Sequence, residues 1–325
     1  MEELFDELVM QALSHNASDL HFISKKEHTI YMRSKGCLKK LSTLPLNKYE
    51  QLTHYLLYLS EIDLNQPHKL QTGHFKKCFE NHCYHFRLSY IPNFDSCYLD
   101  LRILNHHPNI TLDEICVFED VRKIFQKISN MKNGLILICG PTGSGKSTTM
   151  HALLREIDKE REKNIITIED PIEITNDHFV QIQLNESQGL NFLTVFNQIL
   201  RHDPDVIFLG EIRNKESAML ATRLALTGHL TLATMHASHC QAVIRRLLNL
   251  SVLEEDLKEV LRTVICQKLI YSNKQEKPIV LHEFFDSNHI RNYFNHKKIE
   301  YETFDSVLSK AVKYNYLTLE DIEGE

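Results

Sequence analysis

One run constrains this 325-residue chain more than any other: Gly140, Pro141, Thr142, Gly143, Ser144, Gly145, Lys146, Ser147 and Thr148. It fits G-x-x-x-x-G-K-[S/T]. Directly before it stands Leu135-Ile136-Leu137-Ile138-Cys139, an uninterrupted apolar segment of buried-strand length. From Ser147 the apolar spacing turns helical. Strand, glycine loop and helix in that order form a cradle for phosphate. Glycines let successive backbone N–H groups converge on phosphate oxygens without Cβ clashes. The helix N-terminus adds its positive dipole end. In such a loop Lys146 reaches the β and γ phosphates of a nucleotide, and the Ser147 hydroxyl ligates Mg²⁺.

The surrounding pattern sets the fold class. Ile165–Ile168, Val206–Leu209 and Leu230–Met235 repeat the apolar run of residues 135–139. Helical patterns separate them at Ser147–Glu160, Phe192–Arg201, Lys215–Thr227 and Gln241–Leu250. Buried strands alternating with helices predict an α/β domain with parallel strands and right-handed crossovers. A further helical segment is expected over Glu254–Gln267. The first hundred residues read differently. A helix over residues 2–14, another over Leu46–Leu59, and short alternating segments at Leu20–Ile23, Thr29–Arg33 and Tyr84–Tyr90 predict a smaller α+β domain. Asn105-His106-His107-Pro108-Asn109 lacks apolar periodicity and suits a linker. The expected division is 1–104, a hinge at 105–110, and 111–325.

Hydrolysis needs a group that orients water. Val206-Ile207-Phe208-Leu209-Gly210-Glu211 is an apolar strand ending in a carboxylate, which makes Glu211 the candidate for polarising the attacking water. Gly210 stands where many phosphate-loop enzymes carry an aspartate that supports the metal. Glu169, after Ile165–Ile168, is the candidate to supply that metal-side carboxylate. Ligands in parallel α/β sheets lie outside the carboxyl ends of the strands, so both acids are expected there. His229 and His236 flank the strand Leu230–Met235, and a strand-end imidazole can report a γ phosphate.

Charge and cysteine usage narrow the setting. Lys plus Arg number 37 and Asp plus Glu 43, for a net charge of −6, which argues against a bulk nucleic-acid-binding surface. No apolar run reaches the ~18 residues of a membrane span, and acidic Glu2, Glu3 and Asp6 do not suit a signal peptide. A cytoplasmic protein is expected, with any membrane role passing through a partner. The 8 cysteines are scattered and expected to be reduced. His74, Cys78, His82, Cys83 and His85 have zinc-ligand chemistry without standard spacing. They read as a hairpin around Glu80-Asn81 with incidental histidines. The 19 histidines make net charge pH-sensitive below neutrality.

Together these segments resemble the secretion ATPases of type II secretion and type IV pilus systems. The phosphate loop, Thr167–Glu173 (TIEDPIE), Leu200–Arg213 (LRHDPDVIFLGEIR) and Thr227–His236 (TGHLTLATMH) match, in order, that family's Walker A, Asp box, Walker B and His box. The glycine at 210 is part of the family pattern. Upstream, Ala17-Ser18-Asp19-Leu20-His21 is similar to its ASDIH segment. Arg33 and Gly36 resemble its RxRxDG turn without the aspartate. Phe86-Arg87-Leu88 and Leu101-Arg102-Ile103-Leu104 are similar to segments that present arginines to a neighbouring subunit's nucleotide.

The resemblance implies a PAS-like first domain, a RecA-like second domain with a C-terminal helical extension, and a homohexamer that binds ATP between domains. It implies Arg87 and Arg102 as finger arginines, Glu211 as the water-orienting residue and His229 as the γ-phosphate sensor. It further implies a polytopic membrane platform protein as partner, peripheral attachment at the inner face of the membrane, and no direct nucleic-acid contact. Pilus-assembly members usually carry a four-cysteine zinc loop. Val264–Ile270 holds Cys266 alone, so no zinc is expected there. That absence and the short N-terminal region resemble the ATPases of the Gram-positive competence pseudopilus. Ile290-Arg291-Asn292 partly resembles the AIRNLI signature of retraction motors. A nucleotide-gated scaffold is the third expectation.

Overall fold

The structure, a computed structural model, describes residues 1–34, 37–66, 68–79, 82–93, 97–104, 110–184, 190 and 192–323. The chain divides into two compact units, 1–107 and 108–325. The expected hinge at 105–109 lies outside the described residues.

In the first unit α1 (Glu2–Ser14) precedes β1 (Ala17–Ser24), β2 (His28–Ser34) and β3 (Cys37–Leu44). Then come α2 (Leu46–Leu59), β4 (Gln71–Phe79), β5 (His82–Pro92) and β6 (Cys97–Leu104). The strands form one sheet in the order β3-β2-β1-β6-β5-β4, antiparallel throughout. Alternation decides which face is buried. Leu20, Phe22, Ile30, Met32, Phe86, Leu88, Leu99 and Leu101 point one way and pack with Phe5, Val9, Leu52 and Leu56 of the helices. Residues one position off turn to the other face.

The thiol expectation is corrected here. Cys78 and Cys83 stand opposite each other in the β4–β5 ladder and are joined by a disulfide. Antiparallel register brings them together, with Cα atoms 3.9 Å apart. The bond also removes both thiols from the His/Cys group considered above as a metal candidate.

The second unit opens with α3 (Leu112–Ile115) and α4 (Glu119–Ser129). β7 (Gly134–Cys139) leads to α5 (Lys146–Ile157), then β8 (Ile165–Glu169), β9 (Val180–Gln183), α6 (Phe192–Ile199) and β10 (Val206–Leu209). α7 (Lys215–Leu226), β11 (Leu230–Met235), α8 (Cys240–Asn249), α9 (Glu254–Val260), β12 (Leu261–Ser272) and β13 (Lys277–Phe285) follow. α10 (Ser287–Phe294), α11 (Phe304–Lys313) and α12 (Leu319–Glu323) finish the chain. The seven strands run β13-β12-β7-β11-β10-β8-β9, parallel except at the β12–β13 pair. The expected α/β fold with a parallel-rich sheet is present. Core residues alternate between two layers. Leu135, Leu137 and Cys139 face one, and Ile136 and Ile138 face the other. A strand covered on both faces reads as a continuous apolar run, which is why these strands were visible in the sequence.

One helix expectation fails. Residues 254–267 are not a single helix: α9 stops at Val260 and β12 begins at Leu261. The β-branched run Thr263-Val264-Ile265 suits a strand, and β12 pairs on both sides, with β7 and β13. Among the described residues, no helix is long and apolar enough to cross a membrane.

Candidate nucleotide site

Parallel pairing places the carboxyl ends of β7, β11, β10 and β8 at one edge of the sheet. The chain leaves those ends at Gly140, His236, Gly210 and Asp170. The loop 140–145 closes over the start of α5. Gly145 is the N-cap residue, at φ +81°, in the left-handed region that side chains resist. Unlike α3, α7 and α10, which carry reciprocal capping boxes, α5 has no side-chain cap. Its intrahelical ladder begins with Thr149 N donating to Gly145 O at 3.0 Å. The amides of the first turn therefore have no intrahelical acceptor, which is the arrangement that receives an anion. Lys146 Nζ donates to Gly140 O (3.0 Å) and Pro141 O (2.9 Å). Burial holds its pKa below the ordinary lysine value, while Glu211 pulls in the opposite direction. Gln267 of β12 donates its side-chain amide to Ser144 O and fixes the loop from beneath. A cavity of about 260 Å³ is lined by Pro141–Ser144, Lys268 and Leu269.

Glu211 stands beside this loop with both carboxylate oxygens engaged. Oε1 lies 3.0 Å from His236 Nε2, and Oε2 accepts from Arg213 Nε at 2.6 Å. Arg213 also reaches Asp170 Oδ2 at 3.3 Å. His236 Nδ1 lies 3.2 Å from Gly140 O, so the imidazole bridges the loop and the carboxylate. Both its neighbours are acceptors. The neutral ring donates to one of them, the cation to both. Arg246 donates to His236 O (3.0 Å), and Thr234 donates to Gly210 O, tying the ends of β10 and β11. Gly210 sits at a close approach between strands, where a side chain would be tight. A Cβ there would stand 3.2 Å from Glu169 Cα and 3.3 Å from Ile168 O of the adjoining strand.

Two expected assignments change. His229 precedes β11, at the end of the strand away from the loop, and pairs with Thr227 Oγ1 at 2.9 Å. The six residues of β11 span roughly 20 Å at strand rise. The histidine at the loop is His236, because parallel register puts the carboxyl end of β11 beside that of β7. Glu169 does not face the loop. It is 4% exposed, and its Oε1 accepts from Thr167 Oγ1 (2.7 Å) and Gln181 Nε2 (3.2 Å). Its Oε2 lies 3.6 Å from Nε2 of the fully buried His151 of α5. In this geometry Glu169 braces β8 against α5, and the metal-side role expected of it falls away.

Arg87 and Arg102 belong to the first unit. They are direct register partners on β5 and β6. Asp19 of β1 lies opposite both Arg102 and Arg33. A row Arg33–Asp19–Arg102–Arg87 thus crosses the face of the sheet that the helices leave uncovered. Arg102 Nε donates to Asp19 Oδ1 at 2.7 Å. Burial opposes the charge of Asp19, but Ser18 and Arg102 outweigh it and hold the carboxyl below its usual range. Next in the same direction, His21 Nδ1 lies 3.1 Å from Asp100, whose pKa burial raises.

Sequence spacing had no means to single out Arg213. It differs from an ordinary surface arginine only through its contacts. A separate apolar cavity of about 300 Å³, lined by residues that include Ile166, Ile182 and Val195, gathers no comparable chemistry.

Comparisons with known proteins bear on the family and the fold. Residues 1–303 match the family described as Type II/IV secretion system protein. Competence protein ComGA of Bacillus subtilis is 26% identical over 340 residues, covering 98% of this chain and 96% of its own. Competence protein ComGA of Halalkalibacterium halodurans is 36% identical over 270 residues, covering 81% and 76%. Among solved structures, the pilus retraction motor PilT with bound ADP is similar at a TM-score of 0.77 and 27% identity, covering 97% of this chain and 94% of that one. The Legionella pneumophila ATPase DotB shares the fold at a TM-score of 0.78 and 22% identity, covering 99% and 96%.

Proposed function

The chain belongs to the type II/IV secretion system protein family, and from that premise we propose that it is a ring-forming ATP hydrolase that drives assembly of a competence pseudopilus for DNA uptake. The observation that carries the reading is the uncapped α5 N-terminus beside Lys146, with Glu211 and His236 directly adjoining. The similarity to two competence proteins supports the subtype.

The site chemistry suits magnesium with a triphosphate. Ser147 lies in the first turn of α5, where its hydroxyl would hold the ion. The metal, when bound, neutralises charge on the β and γ oxygens. The chain's own groups do the rest. First-turn amides of α5 and Lys146 grip the phosphates once Lys146 gives up its loop carbonyls. Glu211 exchanges its Arg213 and His236 partners for the attacking water and orients it. His236, released from Glu211, donates to the γ phosphate. Arg87 and Arg102 supply the fork-shaped cations that steady the departing charge in the assembled homohexamer.

The first unit is read as PAS-like, its charged sheet face serving that assembly. The ring works on the cytoplasmic side of the membrane through a polytopic platform protein, without gripping nucleic acid itself. A retraction motor is the second reading, favoured by the likeness to PilT. Transformation of a host whose only copy carries Glu211→Gln tests the proposal. Frequency falls to background with pilin-like subunits left unassembled. Accumulated filaments would favour retraction, and wild-type transformation would overturn both readings.

A further inference from the structure

Four elements meet beneath the phosphate loop at a group of side chains that the nucleotide chemistry does not use. Cys139 ends β7, one residue before Gly140. Cys266 of β12 is its register partner, and Glu283 of β13 is the register partner of Cys266. Cys240 opens α8. The three cysteines are fully buried and Glu283 is 2% exposed. The Cys240 thiol lies 3.5 Å from Val264 O and 3.4 Å from Glu283 O, and Cys240 N donates to Glu283 Oε1 at 2.7 Å. One ligand atom each from Cys240, Cys266 and Glu283 fall within 4.8 Å of one another. The Cys139 and Cys240 thiols crowd that of Cys266 closely enough to push its pKa well up, with burial adding to the effect. Tyr301 closes the group, its phenol pushed up to about 12 by burial and the neighbouring Glu283.

Buried thiols alone are unremarkable, since cysteine packs as a small apolar residue. The carboxylate is different. An anionic oxygen taken out of water requires compensation. The helix amide of Cys240 supplies part of it. Among the described residues, no lysine, arginine or histidine is ion-paired with Glu283. Two sulfurs and one carboxylate oxygen lie mutually close, and the Cys139 thiol adjoins that of Cys266; these are the donor types of a tetrahedral transition-metal centre.

We propose that Cys240, Cys266 and Glu283, with Cys139 turning in from beside Cys266 as the fourth ligand, form a buried site for a thiophilic divalent cation, zinc by donor type and charge. Binding releases the thiol protons, and the three thiolates with one carboxylate carry the same charge as a four-cysteine zinc centre. The ion joins the last residue of β7 to β12, whose Gln267 holds Ser144, and to α8, which follows the His236 segment. It therefore stiffens the floor of the phosphate loop. Spacing could not reveal the site, because its ligands come from four separate elements. The expectation of no zinc at residues 264–270 counted neighbours in sequence.

The test uses the full chain in a Cys78→Ala/Cys83→Ala background, chelator-stripped, reduced and titrated with Co²⁺. The proposal expects one cobalt per chain, a thiolate charge-transfer band, tetrahedral ligand-field absorption, displacement by Zn²⁺ and a raised Tm. Cys240→Ala and Glu283→Gln, each checked for folding by circular dichroism, lose stoichiometric uptake, whereas Cys37→Ala/Cys97→Ala keeps it. Absence of uptake by the folded parent overturns the proposal. So does an unchanged cobalt spectrum in a folded Cys240→Ala chain. Neither readout depends on nucleotide, so the ATPase reading stands or falls separately.

Discussion

Exchanging the two histidines that flank β11 for alanine, one at a time, separates the geometry described here from the assignment suggested by sequence. His236 contacts Glu211 at 3.0 Å and Gly140 O at 3.2 Å. The side chains of His236 and Glu211 are 39% and 21% exposed, so their ground-state pairing is worth about 1 kcal/mol at most after solvent screening. Loss of that alone would cost about fivefold in positioning. A preorganised donor to the developing phosphoryl charge is worth more, on the order of 10²–10³ in kcat. His236→Ala should therefore lower kcat by about 10²-fold or more. His229→Ala, roughly a strand length away, should change it by less than about twofold. Steady-state phosphate release under saturating Mg-ATP, with matched oligomer size, is the assay. Equal losses in both variants, or a larger loss in His229→Ala, would refute the placement.

Three further outcomes follow from the same structure. Glu211→Gln should reduce turnover by about 10²–10⁴-fold while nucleotide affinity, measured by equilibrium binding, stays equal or tightens, because a negative charge leaves the phosphate site. Arg87→Gln should lower turnover with little change in Tm, whereas Arg102→Gln should lower both, since it removes the ion-pair partner of the buried Asp19 and leaves it the Ser18 hydroxyl. Burial pulls the pKa of His282 from 6.5 down to about 3, so the folded chain keeps that ring neutral where the unfolded chain protonates it. Its contribution is whole above about pH 6.5 and is lost as pH falls toward 3. Between about pH 7.5 and 5.5 this costs about 1.4 kcal/mol. His282→Phe, seated between Phe125 and Phe284, should flatten that part of the pH profile of denaturant unfolding.

The strands that build the nucleotide edge were legible because each is covered on both faces and reads as a continuous apolar run. β3, β4 and β6 were not, since one face of the first sheet carries polar and charged residues that break such runs. β12 reads in sequence as the end of a helix because its apolar residues follow directly on the helical spacing of α9. Within the site, the loop was fixed by local spacing, and Lys146 and Glu211 came with it. The choice between His229 and His236 needed strand direction, and the inward turn of Glu169 needed its partners Thr167, Gln181 and His151. The Cys78–Cys83 pair needed hairpin register. Distant residues brought together by a sheet leave no trace in spacing.

Phosphate released from Mg-ATP by the purified full chain, beside a Lys146→Ala chain of the same oligomer size, bears most directly on the central claim. The account predicts sustained turnover by the parent and none above background without the lysine. A parent that neither binds nor cleaves the nucleotide, or a Lys146→Ala chain that matches it, would contradict the claim that this loop grips a triphosphate for hydrolysis.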